Sequence, residues 1–274
     1  MTGAVRIGAA IVVAILAAST TGAKASPPPI PVRFAEGLVH GFLALRTTNG
    51  DSLATGDLLQ TAAGDQVTVR VVFHFKDGSL HDETAVYTQR GVFRLLSDHL
   101  VQKGPAFPMP IDLAIDRARS EVTVKYKDDH GAEKTETERM ALPDDLVNGI
   151  ITTVLKNVRA EDGPVVLSYI GTTPKPRLVK LDVSKGGVEP FSTAGQARKA
   201  MHFVVKVDIG GLSGLLAPLV GKKPPDSHIW ILQGAVPAFV RSDAALYVGG
   251  PIWRIDLVSP AFPKDGNEAK SGQF

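Results

Sequence analysis

The run LPDDLVNGIITTVLKNVR, residues 142–159, decides how the rest of the chain reads, because it carries the one long helical periodicity in a sequence otherwise built of strand patterns. Leu146, Val147, Ile150, Ile151, Val154, Leu155 and Val158 recur at the spacing of one helical face, while Asp144, Asn148, Thr152, Lys156 and Asn157 fall outside that stripe. Asp144 and Asp145 at the start and Lys156 and Arg159 at the end complement a helix dipole, and Pro143 suits an opening position. The spacing predicts a helix from Pro143 to Arg159. Such a stripe needs an apolar partner, and strand patterns on both sides supply one. The expected fold is α+β, mostly β: a strongly curved antiparallel sheet, or half-barrel, packed on one central helix with a short apolar lid segment.

Upstream of that helix, Val32 to Leu38, Gly41 to Thr47 and Leu53 to Ala62 read as short strands parted by the turn residues Thr48-Asn49-Gly50-Asp51. Gln66 to Lys76 is the clearest strand, with Val67, Val69, Val71, Phe73 and Phe75 on one face and Thr68, Arg70, His74 and Lys76 on the other. Asp77-Gly78 reverses it. Val92 to Lys103, Glu121 to Asp128 and Glu133 to Arg139 continue the meander, with the proline-rich Gly104 to Pro110 as an irregular corner. Downstream, Val165 to Ile170, Arg177 to Asp182, Met201 to Ile209, Ile229 to Leu232, Ala238 to Arg241, Leu246 to Val248 and Ile252 to Leu257 resume the sheet. Gly210 to Gly221, GGLSGLLAPLVG, is apolar, flanked by glycine and interrupted by Pro218, which makes it the candidate lid.

The N-terminus has the order of a secretory signal: Arg6, an apolar run from Ile7 to Ala18, and Ala23-Lys24-Ala25 before Ser26. Cleavage is expected after Ala25. That run is shorter than the roughly 20 residues of a spanning helix, so no transmembrane span is expected after cleavage. The expected organisation is a signal peptide at 1–25, a proline-rich leader at 26–31, one β-rich domain at 32–260 and a disordered tail at 261–274, in a protein exported to the periplasm or secreted. The chain has no cysteine, which excludes a thiol nucleophile, a thiolate metal site, a disulfide and a lipobox-type anchor. Removing Arg6 and Lys24 with the signal leaves 28 basic against 28 acidic side chains, a balance that gives nucleic acid no basic surface to bind.

Catalytic patterns are sparse. Ser213 lies among glycines but lacks the spacing and the strand-turn-helix setting of a nucleophile elbow, and there is no dinucleotide fingerprint, phosphate loop or H-E-x-x-H. A two-residue turn at Asp77-Gly78 would put His74 opposite His81, with Glu83 diagonally across on the same face. Two imidazoles and a carboxylate so placed form a facial metal set, which makes a secreted metal-dependent hydrolase one expectation and a solvated polar face the plainer one.

The stretches VVFHFKDGSLHDET, GVFRLLSDHLVQKGPAFP, TPKPRLVKL, LLAPLVGKKPPDSHIWIL and GGPIWRIDL resemble an uncharacterised family of exported bacterial proteins. The order of strands, helix and strands is similar to the periplasmic lipoprotein carriers and receptors of the LolA and LolB type. That second resemblance is architectural, and it implies a half-barrel enclosing an apolar cavity. A carrier role rests on analogy of fold.

Export, an apolar lid and the lack of a catalytic set together predict a non-catalytic, cofactor-free binding protein for a lipid, an acyl chain or an apolar protein segment. Ile150, Val154, Leu212, Leu215, Leu216, Leu219 and Trp230 are the residues expected to line its cleft. The possible partners are a lipid or lipoprotein cargo and, for an envelope scaffold that pairs through a sheet edge, another envelope protein.

Overall fold

The computed structural model describes residues 29–128, 130–172, 175–193, 196–208 and 224–258. The expected signal, the candidate lid with Leu212, Leu215, Leu216 and Leu219, and the tail lie outside the described residues.

Period-two alternation forms the strands. In β3 (Gln66–Phe75), Val67, Val69, Phe73 and Phe75 are buried while Gln66, Arg70 and His74 are exposed, which is the expected split between faces. The same logic, hairpin after hairpin, builds β1 (Val39–Thr47), β2 (Ser52–Ala63), β4 (Leu80–Thr88), β5 (Arg94–Lys103), β6 (Ile111–Asp116), β7 (Glu121–Lys127) and β8 (Glu133–Arg139). After a short helix, α1 (Ile151–Lys156), come β9 (Val165–Thr172), β10 (Pro176–Thr193), β11 (Gln196–Asp208), β12 (Ser227–Leu232), β13 (Ala238–Ala244) and β14 (Trp253–Val258).

The first and last strands pair, β1 with β14, so two meanders merge into one antiparallel sheet of 14 strands. Its order is β8-β7-β6-β5-β4-β3-β2-β1-β14-β13-β12-β11-β10-β9. The sheet curls until β10 approaches β7 and β8, yet its edges β8 and β9 do not pair, leaving an open barrel with a seam. Edge β8, EKTETER, is guarded by charge. Residues 140–164 join the two edges.

The expected α+β architecture with a helix from Pro143 to Arg159 is corrected by the structure. Only Ile151–Lys156 is helical, and the sheet, curled on itself, supplies the layers that the helix was expected to provide. The apolar stripe is nevertheless buried, with Leu146, Val147, Ile150, Val154, Leu155 and Val158 all in the interior. Periodicity reported burial correctly and conformation wrongly. Gly149 takes φ +66°, which breaks any helix begun at Pro143, and Ile150 opens α1 with no side-chain capping bond. Asn148 and Asn157, placed by the pattern outside the stripe, are wholly buried.

Two apolar clusters fill the barrel. One gathers residues of β3 to β7, the 146–158 segment and β9 to β12; the other gathers Leu45, Phe73, Phe75, Phe107 and Trp253.

Candidate functional site

Asn157 and Asn148 act as pieces of backbone, and between them they shape a groove at the seam. Asn157 ends α1; its Oδ1 accepts the amides of Arg33 at 2.7 Å and Phe34 at 2.8 Å, while its Nδ2 donates to the Thr153 carbonyl at 3.0 Å. The Arg33 guanidinium forks onto Asp162 at 2.9 Å through both nitrogens, and Lys156 pairs with Glu36 at 2.5 Å. Residues 30–36 are thereby bound across the end of α1, and the bridge between Pro31 and Val92 ties them to the β4–β5 turn.

On the other wall, segment 145–148 lies along edge strand β9. Ser168 donates its amide to the Asp145 carbonyl and accepts the Val147 amide, both at 3.0 Å, in a parallel bridge. Two residues on, Asn148 takes over: its Oδ1 accepts the Ile170 amide at 2.8 Å and its Nδ2 donates to the Ile170 carbonyl at 3.1 Å. Asp145 is fixed by Ser168 Oγ at 2.7 Å and Lys180 at 3.1 Å, and Asp144 by Arg94 at 2.7 Å.

Between these walls lies a groove of about 560 Å³, lined chiefly by Ile30, Phe93, Leu146, Val147, Val154 and Leu167, with Asp144, Asp145 and the Arg33–Asp162 pair among its polar groups. Its size and apolar lining are those of a small-ligand site.

Of the residues expected in a cleft, Val154 lies on this groove. Ile150, 1% exposed, is core. Trp230 is on the outer face of β12, between the buried Ile229 and Ile231. It stacks on His202 with ring centres 4.6 Å apart and planes at 4°, and its Nε1 donates to Glu189 at 2.9 Å. Glu189 also meets His202 Nδ1 at 3.0 Å, and His202 Nε2 lies 2.8 Å from His228 Nδ1. With both rings neutral, the protons fall in one order: His202 donates to Glu189, His228 donates to His202, and Nε2 of His228 is left an acceptor.

The histidine set does not assemble. The β3–β4 connection is a three-residue loop, Lys76-Asp77-Gly78, in which Gly78 takes φ +85° and the Phe75 amide reaches the Ser79 carbonyl at 3.0 Å. This shifts the register by one residue, so Leu80 faces His74 and Phe73 faces His81. His74 is exposed outside the barrel, whereas His81 and Glu83 face its interior. Among the described residues no three His, Cys, Asp or Glu side chains converge to hold a metal ion.

Inside, a polar layer crosses β4 and β5. Gln102 Nε2 donates to the Leu246 carbonyl at 2.7 Å and to His81 Nδ1 at 3.0 Å, so His81 carries its proton on Nε2, 4.0 Å from Glu83 Oε2. Burial lowers the His81 pKa to about 4 and raises that of Glu83 to about 7. Asp98 is held well above the ordinary carboxylate range, first by burial and then by Glu83, and neither of its oxygens has a hydrogen-bond partner. Burial, with the charges of Glu83 and Asp98, also raises Tyr169. No sequence motif announced this layer; the alternation His81, Glu83 within β4 was its only trace.

Fold and site together define an open antiparallel β-barrel with an apolar groove at its seam. The chain is similar to a solved structure described as a β-barrel-like protein of a domain of unknown function, DUF1849, from Brucella abortus, with 9% identity, a TM-score of 0.45, and coverage of 82% of this chain and 100% of the other. No protein-family model matches the chain, and no curated protein matches it. Among the described residues no helix is long and apolar enough to cross a membrane.

Proposed function

We propose that this chain is a non-catalytic binding protein that takes an apolar ligand, an acyl chain or an apolar polypeptide segment, in the seam groove, and that it works outside the cytoplasm as its N-terminal pattern implies. One observation carries the reading: a groove of about 560 Å³ with apolar walls, whose neighbouring charges are matched within the protein. Ligand binding there is a matter of apolar burial.

The test uses Nile red, whose emission rises in apolar surroundings. The protein is expected to bind it saturably, and Ile30→Trp, which fills the groove from its 29–33 rim, should weaken binding at least tenfold with an unchanged far-UV spectrum. Equal binding by wild type and Ile30→Trp would remove the groove from consideration.

A further inference from the structure

The groove runs beside an unfinished strand edge. In β9, Ser168 and Ile170 direct their amides and carbonyls away from β10, where Asp145, Val147 and the Asn148 side chain receive them. Val166 has the same parity, so its amide and carbonyl point the same way. There the covering segment gives out, and Val165, Val166 and Leu167 instead line the groove. Among the described residues no backbone group beyond the β10 ladder pairs with Val166. Pro164, which has no amide, ends the edge.

An acyl chain seated here would cover the Val166 amide and carbonyl and leave both unpaired, which is unfavourable for any occupant that brings no hydrogen bonds. Among the described residues around the groove a fatty carboxylate would find no free cation either, since Arg33 is engaged by Asp162, Arg94 by Asp144, and Lys180 by Asp145. An extended polypeptide answers both demands. Its backbone pairs with Val166, continuing the line that residues 145–148 already draw along β9, and its apolar side chains enter between Ile30, Phe93 and Val154.

Resting on the groove reading above, we infer that the occupant is an extended, apolar, uncharged or basic polypeptide segment that adds to the sheet at Val166 as a strand. The three probes are an acetylated and amidated hexapeptide of alternating valine and threonine, the same peptide methylated at its backbone nitrogens, and palmitate, each competing with Nile red. The plain hexapeptide should displace the dye and slow hydrogen exchange of the Val166 amide; the methylated one should be at least tenfold weaker. Val166→Pro, which deletes that amide on an edge where proline is tolerated, should weaken the hexapeptide by a larger factor than it weakens Nile red. If the methylated peptide competes within twofold of the plain one, or palmitate displaces the dye and the hexapeptide does not, strand addition is wrong while the groove stands as an apolar site. Dye binding that ignores Ile30→Trp and all three probes would overturn both.

Discussion

Gly149 lies directly over Asp98: a β-carbon added to the glycine would stand 2.8 Å from Asp98 Oδ1 and 2.7 Å from Ala85 Cβ. The same few residues that wall the groove and cover the β9 edge thus press on the acidic layer inside the barrel. Gly149→Ala must both hold φ +66° with a side chain and displace packed neighbours, at a combined cost of about 2–4 kcal/mol. Gly64→Ala provides the control, because Gly64 has φ +60° with nothing within 4 Å of the added carbon, so only the backbone term of about 1 kcal/mol remains. Urea unfolding of the two variants, with unchanged slope, measures the difference.

Glu83 ties stability to neutral pH. Its folded pKa is raised from the ordinary 4.5 to about 7, so the folded state binds the proton more tightly than the unfolded one. Stability is therefore full below the unfolded value and falls as pH rises toward 7. Glu83→Gln has no proton to lose, and relative to wild type it should gain about 1–3 kcal/mol between pH 4.5 and pH 8. Asp98, also raised, adds to the same decline as pH rises, so Asp98→Asn should gain as well. Urea midpoints of wild type and variants at both pH values decide this; a constant offset from wild type would mean that neither carboxyl is shifted.

His81 acts on the acid side with the opposite sign. Its folded pKa is lowered from 6.5 to about 4, so the unfolded chain takes up protons first and stability is lost as pH falls from 6.5 toward 4. His81→Gln should flatten that limb by about 1–3 kcal/mol. Between 4.5 and 6.5 the His81 and Glu83 effects oppose each other in wild type, so each single variant should reveal a slope that the parent conceals. Nitrogen shifts of the His81 ring should show a neutral imidazole at pH 5.

Much of the sheet was legible because burial on one face imposes alternation, as in Val67 to Phe75 or Ile229 to Ile231. Two kinds of element were not. Val32 to Leu38 has a strand's composition, yet it runs past the end of α1 with Asn157 as its partner, a pairing that depends on residues 120 positions away and more. Strand β6 follows a proline-rich corner and carries Asp112 and Asp116 among its apolar residues, which masked its alternation. The histidine register failed for a local reason, since Asp-Gly supports either a two-residue turn or the end of a three-residue loop, and one residue decides which face His74 takes. Of the groove, the apolar stripe contained Leu146, Val147 and Val154, and Val154 alone was expected in a cleft. The groove's walls depend on Asn148 and Asn157, and buried asparagines that replace backbone have no periodicity to betray them.

Asn148 offers the sharpest test of how the β9 edge is closed. Its side chain is the sole described partner for both outward groups of Ile170, and all three lie in the interior. Asn148→Ala removes one donor and one acceptor and leaves a buried amide and carbonyl unmatched, a loss of about 2–4 kcal/mol. Asn148→Asp separates the two bonds: its carboxylate still accepts the Ile170 amide but faces the Ile170 carbonyl without a donor, so it should be no more stable than the alanine variant at pH 7 and should recover on acidification as the carboxyl gains a proton to donate. Amide exchange at Ile170 should accelerate in both variants while exchange at Leu45, in β1 and in the other apolar cluster, rises only with the global loss of stability. Uniform acceleration at both sites, with no excess at Ile170, would mean that Asn148 stabilises the barrel without closing this edge.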